Sequence, residues 1–324
     1  MNDFFDVPVV LFLFKRKDAA LRVLERIAAV RPFRLYLLAD QGRDDAEREL
    51  VRAVREAVDA YVAANFAYGC EIIRDYAKEN RGVYRNIGEG ALRVFDKEKR
   101  AIFLEDDNLP EVSFFKYCKE MLEKYEDEER VLWVCGTNYL GDGGESGSYA
   151  FTRHMLPCGW ASWGHKFTKY YDGEFSLLRR DSNTLKNLRK NFETGRLYKM
   201  VADRWRAELA LVQRGEQPSS WDYQMYLTLR YYNLLGVVPM VNQIRNIGVD
   251  AFSAHGGVSM DNIMTRRYCG MDSYPLKFPL RGPDVVAPDA ALEKKLERII
   301  VYPWWLRVRI RIGQVMRFAK IKGE

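Results

Sequence analysis

The stretch Ala101-Ile102-Phe103-Leu104-Glu105-Asp106-Asp107-Asn108-Leu109-Pro110 limits the possible folds more than any other. Four apolar residues run directly into three acids, and a proline closes the stretch. This predicts a short buried strand that ends in carboxylates. A strand of this kind brings its acids to the rim of an open α/β sheet, where ligands of such sheets bind. Three adjacent carboxylates repel one another, so they require a cation, hydrogen-bond donors or water. The alternative is a solvated loop that caps the next helix. Against it stands the fully apolar strand that leads into the acids.

The flanking sequence alternates between strand and helix patterns. Residues 7–14 are an apolar run followed at once by Lys15, Arg16 and Lys17. Leu21, Leu24, Ile27 and Ala28 then recur at helical spacing until Pro32. Residues 33–39 read as a second strand running into Asp40-Gln41-Gly42, and residues 44–64 as a helix striped by Ala46, Leu50, Val54, Ala57 and Tyr61. A third short strand at 70–73, a turn-rich segment with Asn80-Arg81-Gly82, and a helix through Ala91, Leu92 and Phe95 lead back to the acidic strand. Beyond it come a helix marked by Phe114, Cys118, Met121, Leu122 and Tyr125, a strand at 131–135, and a glycine-rich loop at 141–147. An amphipathic helical stretch at 184–214, a helix opened by Pro218-Ser219-Ser220-Trp221-Asp222, and a late strand at 236–241 follow. The alternation predicts an α/β fold with a mostly parallel sheet and helices on both faces.

Charge and cysteines narrow the classes. The net charge of +6 is concentrated at the end, where Arg307, Arg309, Arg311, Arg317, Lys320 and Lys322 lie. The rest is close to neutral, so no nucleic-acid-binding body is expected. The five cysteines are odd in number, far apart and without a CxxC pair. That argues for a reducing compartment and against a zinc or disulfide framework. No secretory signal and no run of 18 apolar residues is visible, so a cytoplasmic protein is expected, peripheral on the inner face of the membrane if the basic tail binds there.

In order along the chain stand Phe14-Lys15-Arg16-Lys17, Ala39-Asp40-Gln41-Gly42, Leu104-Glu105-Asp106-Asp107, Cys158-Gly159-Trp160-Ala161-Ser162-Trp163, Trp221-Asp222-Tyr223-Gln224, and Asn246-Ile247-Gly248 with His255 downstream. This ordered set resembles the GT-A-fold glycosyltransferases. More narrowly, it is similar to the bacterial enzymes often labelled hemolytic-protein-like, distant relatives of the N-acetylglucosaminyltransferase I family. The first motif commonly reads Phe-Asn-Arg-Pro in that family; Lys15 and Lys17 stand here in place of the Asn and Pro. The resemblance implies a GT-A, Rossmann-like sheet over residues 1–275, with a nucleotide-sugar half (1–136) and an acceptor half (137–275) that carries a helical insertion. Residues 276–324 would then be an extension with a basic amphipathic helix.

The implied reaction is a metal-dependent, inverting transfer of a sugar from a nucleotide donor, a UDP-sugar being favoured, to a saccharide or lipid-linked saccharide. By resemblance Asp107 ligates Mn²⁺ or Mg²⁺, Glu105 and Asp106 contact the ribose and nucleotide, and Asp222 is the general base. Phe14 belongs to the donor site with the first motif. Arg16 and Asp40, at the ends of the first two strands, face the diphosphate and base: the guanidinium can fork onto phosphate, and Asp40 can accept the uracil imide hydrogen. Asn80 and Gly82 pass near the ribose. Trp160 and Trp163 either pack on a sugar or belong to the core, and His255 is a further contact to the metal or diphosphate. Two other functions stay open: sugar-1-phosphate nucleotidyl transfer, against which residues 14–19 lack a glycine-rich phosphate loop, and a non-catalytic carbohydrate- or membrane-binding protein. In the tail, Val301, Trp305, Val308, Ile312, Val315, Met316 and Ala319 share one helical face while the basic residues lie mostly elsewhere. That pattern suits an anionic membrane surface.

Overall fold

The computed structural model describes residues 4–142, 147–181, 183–249 and 269–301. Among them β1 (Val9–Leu13), β2 (Arg34–Ala39), β3 (Glu71–Tyr76) and β4 (Arg100–Glu105) are joined by α1 (Lys17–Val30), α2 (Asp45–Asn65) and α3 (Gly90–Phe95). A short β5 (Asn108–Pro110), α4 (Val112–Lys124), β6 (Val131–Cys135), β7 (Tyr149–Thr152) and β8 (Trp160–Trp163) follow. Next come α5 (Gly164–Tyr170), α6 (Ser176–Arg180), α7 (Thr184–Leu188), α8 (Gly195–Gln213) and α9 (Asp222–Tyr231). The chain then passes through β9 (Leu235–Pro239), β10 (Ile244–Asn246) and α10 (Ala290–Ile300).

Eight strands form one sheet in the order β3-β2-β1-β4-β8-β6-β9-β7, and β10 pairs with β5 in a separate ribbon. β1, β2, β3 and β4 are mutually parallel, as are β6 and β9. β8 runs antiparallel between β4 and β6, and β7 runs antiparallel to β9. The fold is therefore α/β, with a large, mostly parallel sheet flanked by helices. Strand periodicity explains why both faces are covered, since alternate side chains point to opposite sides. Val9, Leu11 and Leu13 enter a core with α1, α2 and α4. Val10 and Phe12 enter a second core with α3, α5, α9 and α10. A third cluster, built from α6, α7 and α8 around Trp205, is the helical insertion.

The order of the first four strands creates the site. From β1 the chain steps outward to β2 and β3, then returns to β4 on the other side of β1. Ligands of open sheets bind beyond the carboxyl ends of the strands at such a reversal.

Three local features differ from the sequence pattern. Residues 160–163 are a buried strand where a sugar-facing loop is one expectation. The 184–214 stretch is broken, because Thr194 accepts a hydrogen bond from the Leu197 N–H and starts a new helix. The segment after 275 is part of the body. Leu276, Phe278 and Leu280 pack on the first core, and Leu292 and Leu296 of α10 enter the second. His255 and residues 302–322 of the expected membrane helix lie outside the described residues. Among those described, no helix is long and apolar enough to cross a membrane.

Candidate active site

At the β1/β4 reversal opens a cleft of about 1440 Å³. It is lined by Asp40, Gly82, Arg16, the three acids, Asp222 and residues of α8. The Phe14 N–H donates to Asp106 Oδ2 at 3.0 Å and so joins the two strand ends. Arg16 Nη1 lies 3.3 Å from Asp106 Oδ1 and 3.2 Å from Asp107 Oδ2.

Asp107 is fixed from several directions. Its backbone carbonyl accepts the Ile247 N–H at 2.8 Å, and its Oδ1 accepts Asn108 Nδ2 at 2.7 Å. A Cβ placed on Gly248 would fall 2.1 Å from its Oδ2, so this carboxylate occupies the space a side chain would take. Asn108 is held in turn, its Oδ1 accepting the Gly159 N–H at 2.7 Å. The ribbon of β5 and β10 brings Gly248 to this spot from far along the chain.

The acids are crowded. Burial, then the charges of Asp107, Asp106 and Asp222, push the Glu105 carboxyl upward, with Arg16 pulling the other way. Burial and Asp107 raise Asp106, opposed by Arg16 and the Phe14 N–H. Among the described residues one guanidinium, that of Arg16, faces these three acids. Carboxylate oxygens suit a hard divalent cation.

Asp222 is the first residue of α9, half-buried on the cleft, and the Ser220 hydroxyl donates to its Oδ1. Its effect on Glu105 puts it within electrostatic reach of the acids. As a first-turn carboxylate it also complements the helix dipole.

Asp40 is engaged by its own neighbours in the protein. Its Oδ1 accepts the Gln41 and Arg81 N–H groups at 2.8 and 2.7 Å, and its Oδ2 accepts the Gly82 N–H at 3.0 Å and Asn80 Nδ2 at 3.2 Å. A carboxylate has about four acceptor positions, so Asp40 spends them on shaping the 80–82 turn. Asn80 and Gly82 reach the cleft wall through it, Gly82 with a φ of 76°. Lys15 ion-pairs with Glu47 at 2.7 Å. Arg43 and Lys15 together hold the Glu47 carboxyl well below its ordinary range, so this lysine also ties the first strand end to α2.

The two tryptophans belong to the core. Trp160 is 2 % exposed and stacks on Phe103 and Trp133 at ring distances of 3.9 and 4.2 Å, with Trp221 at 5.3 Å. Trp163 is 0 % exposed and its Nε1 donates to the Leu122 carbonyl at 2.9 Å. Neither indole presents a face to a sugar. Trp160 instead supports the wall that carries Trp221 and, beside it, Asp222.

One polar residue on the cleft is not signalled by the sequence pattern. Asn86, 5 % exposed, sits in a π-helical turn, Tyr84–Glu89, ahead of α3. Its buried Oδ1 accepts no hydrogen bond among the described residues. π-Turns recur at functional sites, but their extra residue per turn leaves no spacing mark.

Away from the cleft, ligand atoms of His154, Glu193 and Glu293 lie within 4.8 Å of one another. Arg153 is 2.6 Å from Glu193, and Arg230 is 3.1 Å from it, so two guanidiniums balance two carboxylates. Arg230 Nη2 faces His154 Nδ1 at 3.4 Å. A guanidinium only donates, so Nδ1 accepts; the buried Nε2, 3.9 Å from Glu293 Oε2, makes no hydrogen bond among the described residues. Burial and Arg230 push this imidazole down to about 3, keeping it neutral. Glu293 of this cluster also fastens α10 to β7, accepting from the Thr152 hydroxyl and the Arg153 N–H.

No family model matches the chain, and no curated protein matches it in sequence. Among solved structures it is similar to S. aureus TarS 1-349, at 9% identity and a TM-score of 0.41, over 74% of this chain and 59% of that one. The chain thus spans less than two thirds of the TarS chain. It is also similar to mouse xyloside xylosyltransferase 1 (12% identity, TM-score 0.34, 70% of this chain and 82% of that one). A third similar structure is a UDP-glucose pyrophosphorylase (7% identity, TM-score 0.35, 74% and 93%). Such likenesses concern the general fold and say nothing of what this chain does.

Proposed function

We propose that this chain is a glycosyltransferase that uses a nucleotide-sugar donor, favouring UDP, and inverts the anomeric centre. The observation that carries the proposal is the clamped Asp107 carboxylate at the β1/β4 reversal, in one cleft with a second carboxylate, Asp222, that heads a helix. Mn²⁺ or Mg²⁺ held by Asp107 would neutralise charge on the departing diphosphate. Arg16, anchored on Asp106 and Asp107, adds fixed positive charge at the same place. Glu105 and Asp106 line the ribose end, and the Asp40-shaped turn presents Asn80 and Gly82 to the nucleotide. Asp222 takes the acceptor hydroxyl's proton as that oxygen bonds to the anomeric carbon. The bond from that carbon to phosphate oxygen breaks, and its electron pair leaves with the diphosphate.

Titration of the full chain with UDP, with and without Mn²⁺, tests this. The parent should bind UDP in a metal-dependent way, and Asp107→Asn should lose that binding with an unchanged melting point. An Asp107→Asn protein that binds UDP–Mn²⁺ like the parent sinks the assignment. Release of pyrophosphate in place of nucleoside diphosphate during turnover would make the enzyme a nucleotidyltransferase.

A further inference from the structure

Resting on the glycosyltransferase proposal, we propose that Asn86 holds a hydroxyl of the sugar being transferred and so sets which donor the enzyme accepts. Several buried side-chain atoms have no hydrogen-bond partner among the described residues. Of these, Asn86 Oδ1 is the one whose residue lines the cleft. A buried amide oxygen without a donor is destabilising, and such atoms are rare in folded proteins. Leucine has nearly the same shape and would remove that cost. What the amide lacks inside the protein, a ligand in the cleft can supply.

The π-helical turn gives Asn86 its place. A Cβ on Gly90, directly after the turn, would fall 3.0 Å from Leu38 of β2 and 3.2 Å from the Phe12 ring of β1. A Cβ on Gly88, within the turn, would fall 3.2 Å from Trp221 Cβ. Tyr171, which also crowds Gly88, donates its hydroxyl to the Trp221 carbonyl at 3.3 Å. The backbone around Asn86 is thus packed between two strands of the donor side and the residue that precedes Asp222. Ile87, next in sequence, shares a core cluster with Phe12, Trp160 and Trp221. In the proposed reaction the anomeric carbon lies between the diphosphate held at Asp107 and the acceptor activated by Asp222. The wall that joins those two places is where the transferred sugar meets the protein. An amide donates through Nδ2 and accepts through Oδ1, whereas an ionised carboxylate such as Glu105 or Asp222 only accepts. A sugar hydroxyl also does both, so it can satisfy the amide at either atom. A site completed in this way rejects the analogue without that hydroxyl, because the buried group is then left unpaired.

The full chain with Mn²⁺ is titrated calorimetrically with UDP, UDP-glucose, UDP-galactose and UDP-N-acetylglucosamine, and the tightest donor is then compared with its monodeoxy analogues. For the parent, one analogue should bind about tenfold or more weakly than the full donor. In Asn86→Leu that gap should close to about twofold or less, while UDP alone binds as it does to the parent. The variant should melt at or above the parent's temperature, since an unpaired buried oxygen has been removed. If it melts lower, the same gap is read in Asn86→Ala. A gap that persists in the variant, or a parent that disfavours none of the analogues, overturns the proposal. So does a variant that loses stability and UDP affinity together with the gap intact, which would mean that the amide serves the fold through a bound water. A parent that fails to bind UDP with Mn²⁺ strikes the underlying reaction instead, and that titration is read first.

Discussion

The two parts of the cleft lining are built differently. The acidic end is made of strand termini in the parallel half of the sheet, and its acids are held by backbone N–H groups and by side-chain partners. Asp40 takes three N–H groups, Asp106 takes the Phe14 N–H, and Asp107 is gripped through Ile247 and Asn108. The remaining lining comes from helices α8, α9 and α10, which contribute side chains of mixed character, among them Met200, Asp203, Arg204 and Ala207, and one carboxylate at a helix start, Asp222. Backbone-held charge gives positional accuracy, as fixed ligands for a diphosphate and cation require.

This contrast predicts a ranked set of effects. The largest in turnover belongs to Asp222. Asp222→Asn should cut transfer by about a hundredfold or more with donor affinity almost unchanged; near-normal transfer would leave it a helix-start residue only. Next is Gly248→Ala. The new methyl must displace the Asp107 carboxylate from a backbone that cannot easily move, so UDP–Mn²⁺ affinity should fall about tenfold or more, while the melting point changes little. Affinity equal to the parent's would show that the Asp107 position is not critical.

Asp40→Asn should act on the turn and not on the chemistry. An amide has one acceptor atom where four donors converge, so stability should drop by about 1–3 kcal/mol in urea unfolding. Donor affinity should weaken several-fold, with transfer at saturating donor close to normal. A loss of turnover without loss of stability would instead favour direct contact between Asp40 and the base. The smallest effect on the soluble reaction is expected from ending the chain after Val301, which keeps α10 and its Glu293 contacts to Thr152 and Arg153. Donor hydrolysis should stay at parental rate while flotation with phosphatidylglycerol-containing vesicles is lost. Equal flotation of both chains would remove the membrane role.

The sequence by itself determined the parallel half. Its strands are short apolar runs and its helices carry apolar stripes, and both patterns are local. It also placed the acid triplet at a strand end and Asp222 at a helix start, because proline, serine and the apolar runs mark such boundaries. What it left to the tertiary structure were the questions that depend on distant partners. Trp160 is a core residue because Phe103, Trp133, Phe167 and Trp221, from four separate stretches, close around it. Asp40 is a turn-former because the 80–82 backbone arrives opposite it. Asn86 reaches the cleft through a π-turn that spacing does not encode, and α10 belongs to the core because Glu293 meets Thr152 and the Arg153 backbone across more than a hundred residues. A side chain's type is written in the sequence, but whether its polar atoms are left for a ligand depends on which donors and acceptors the fold brings beside it.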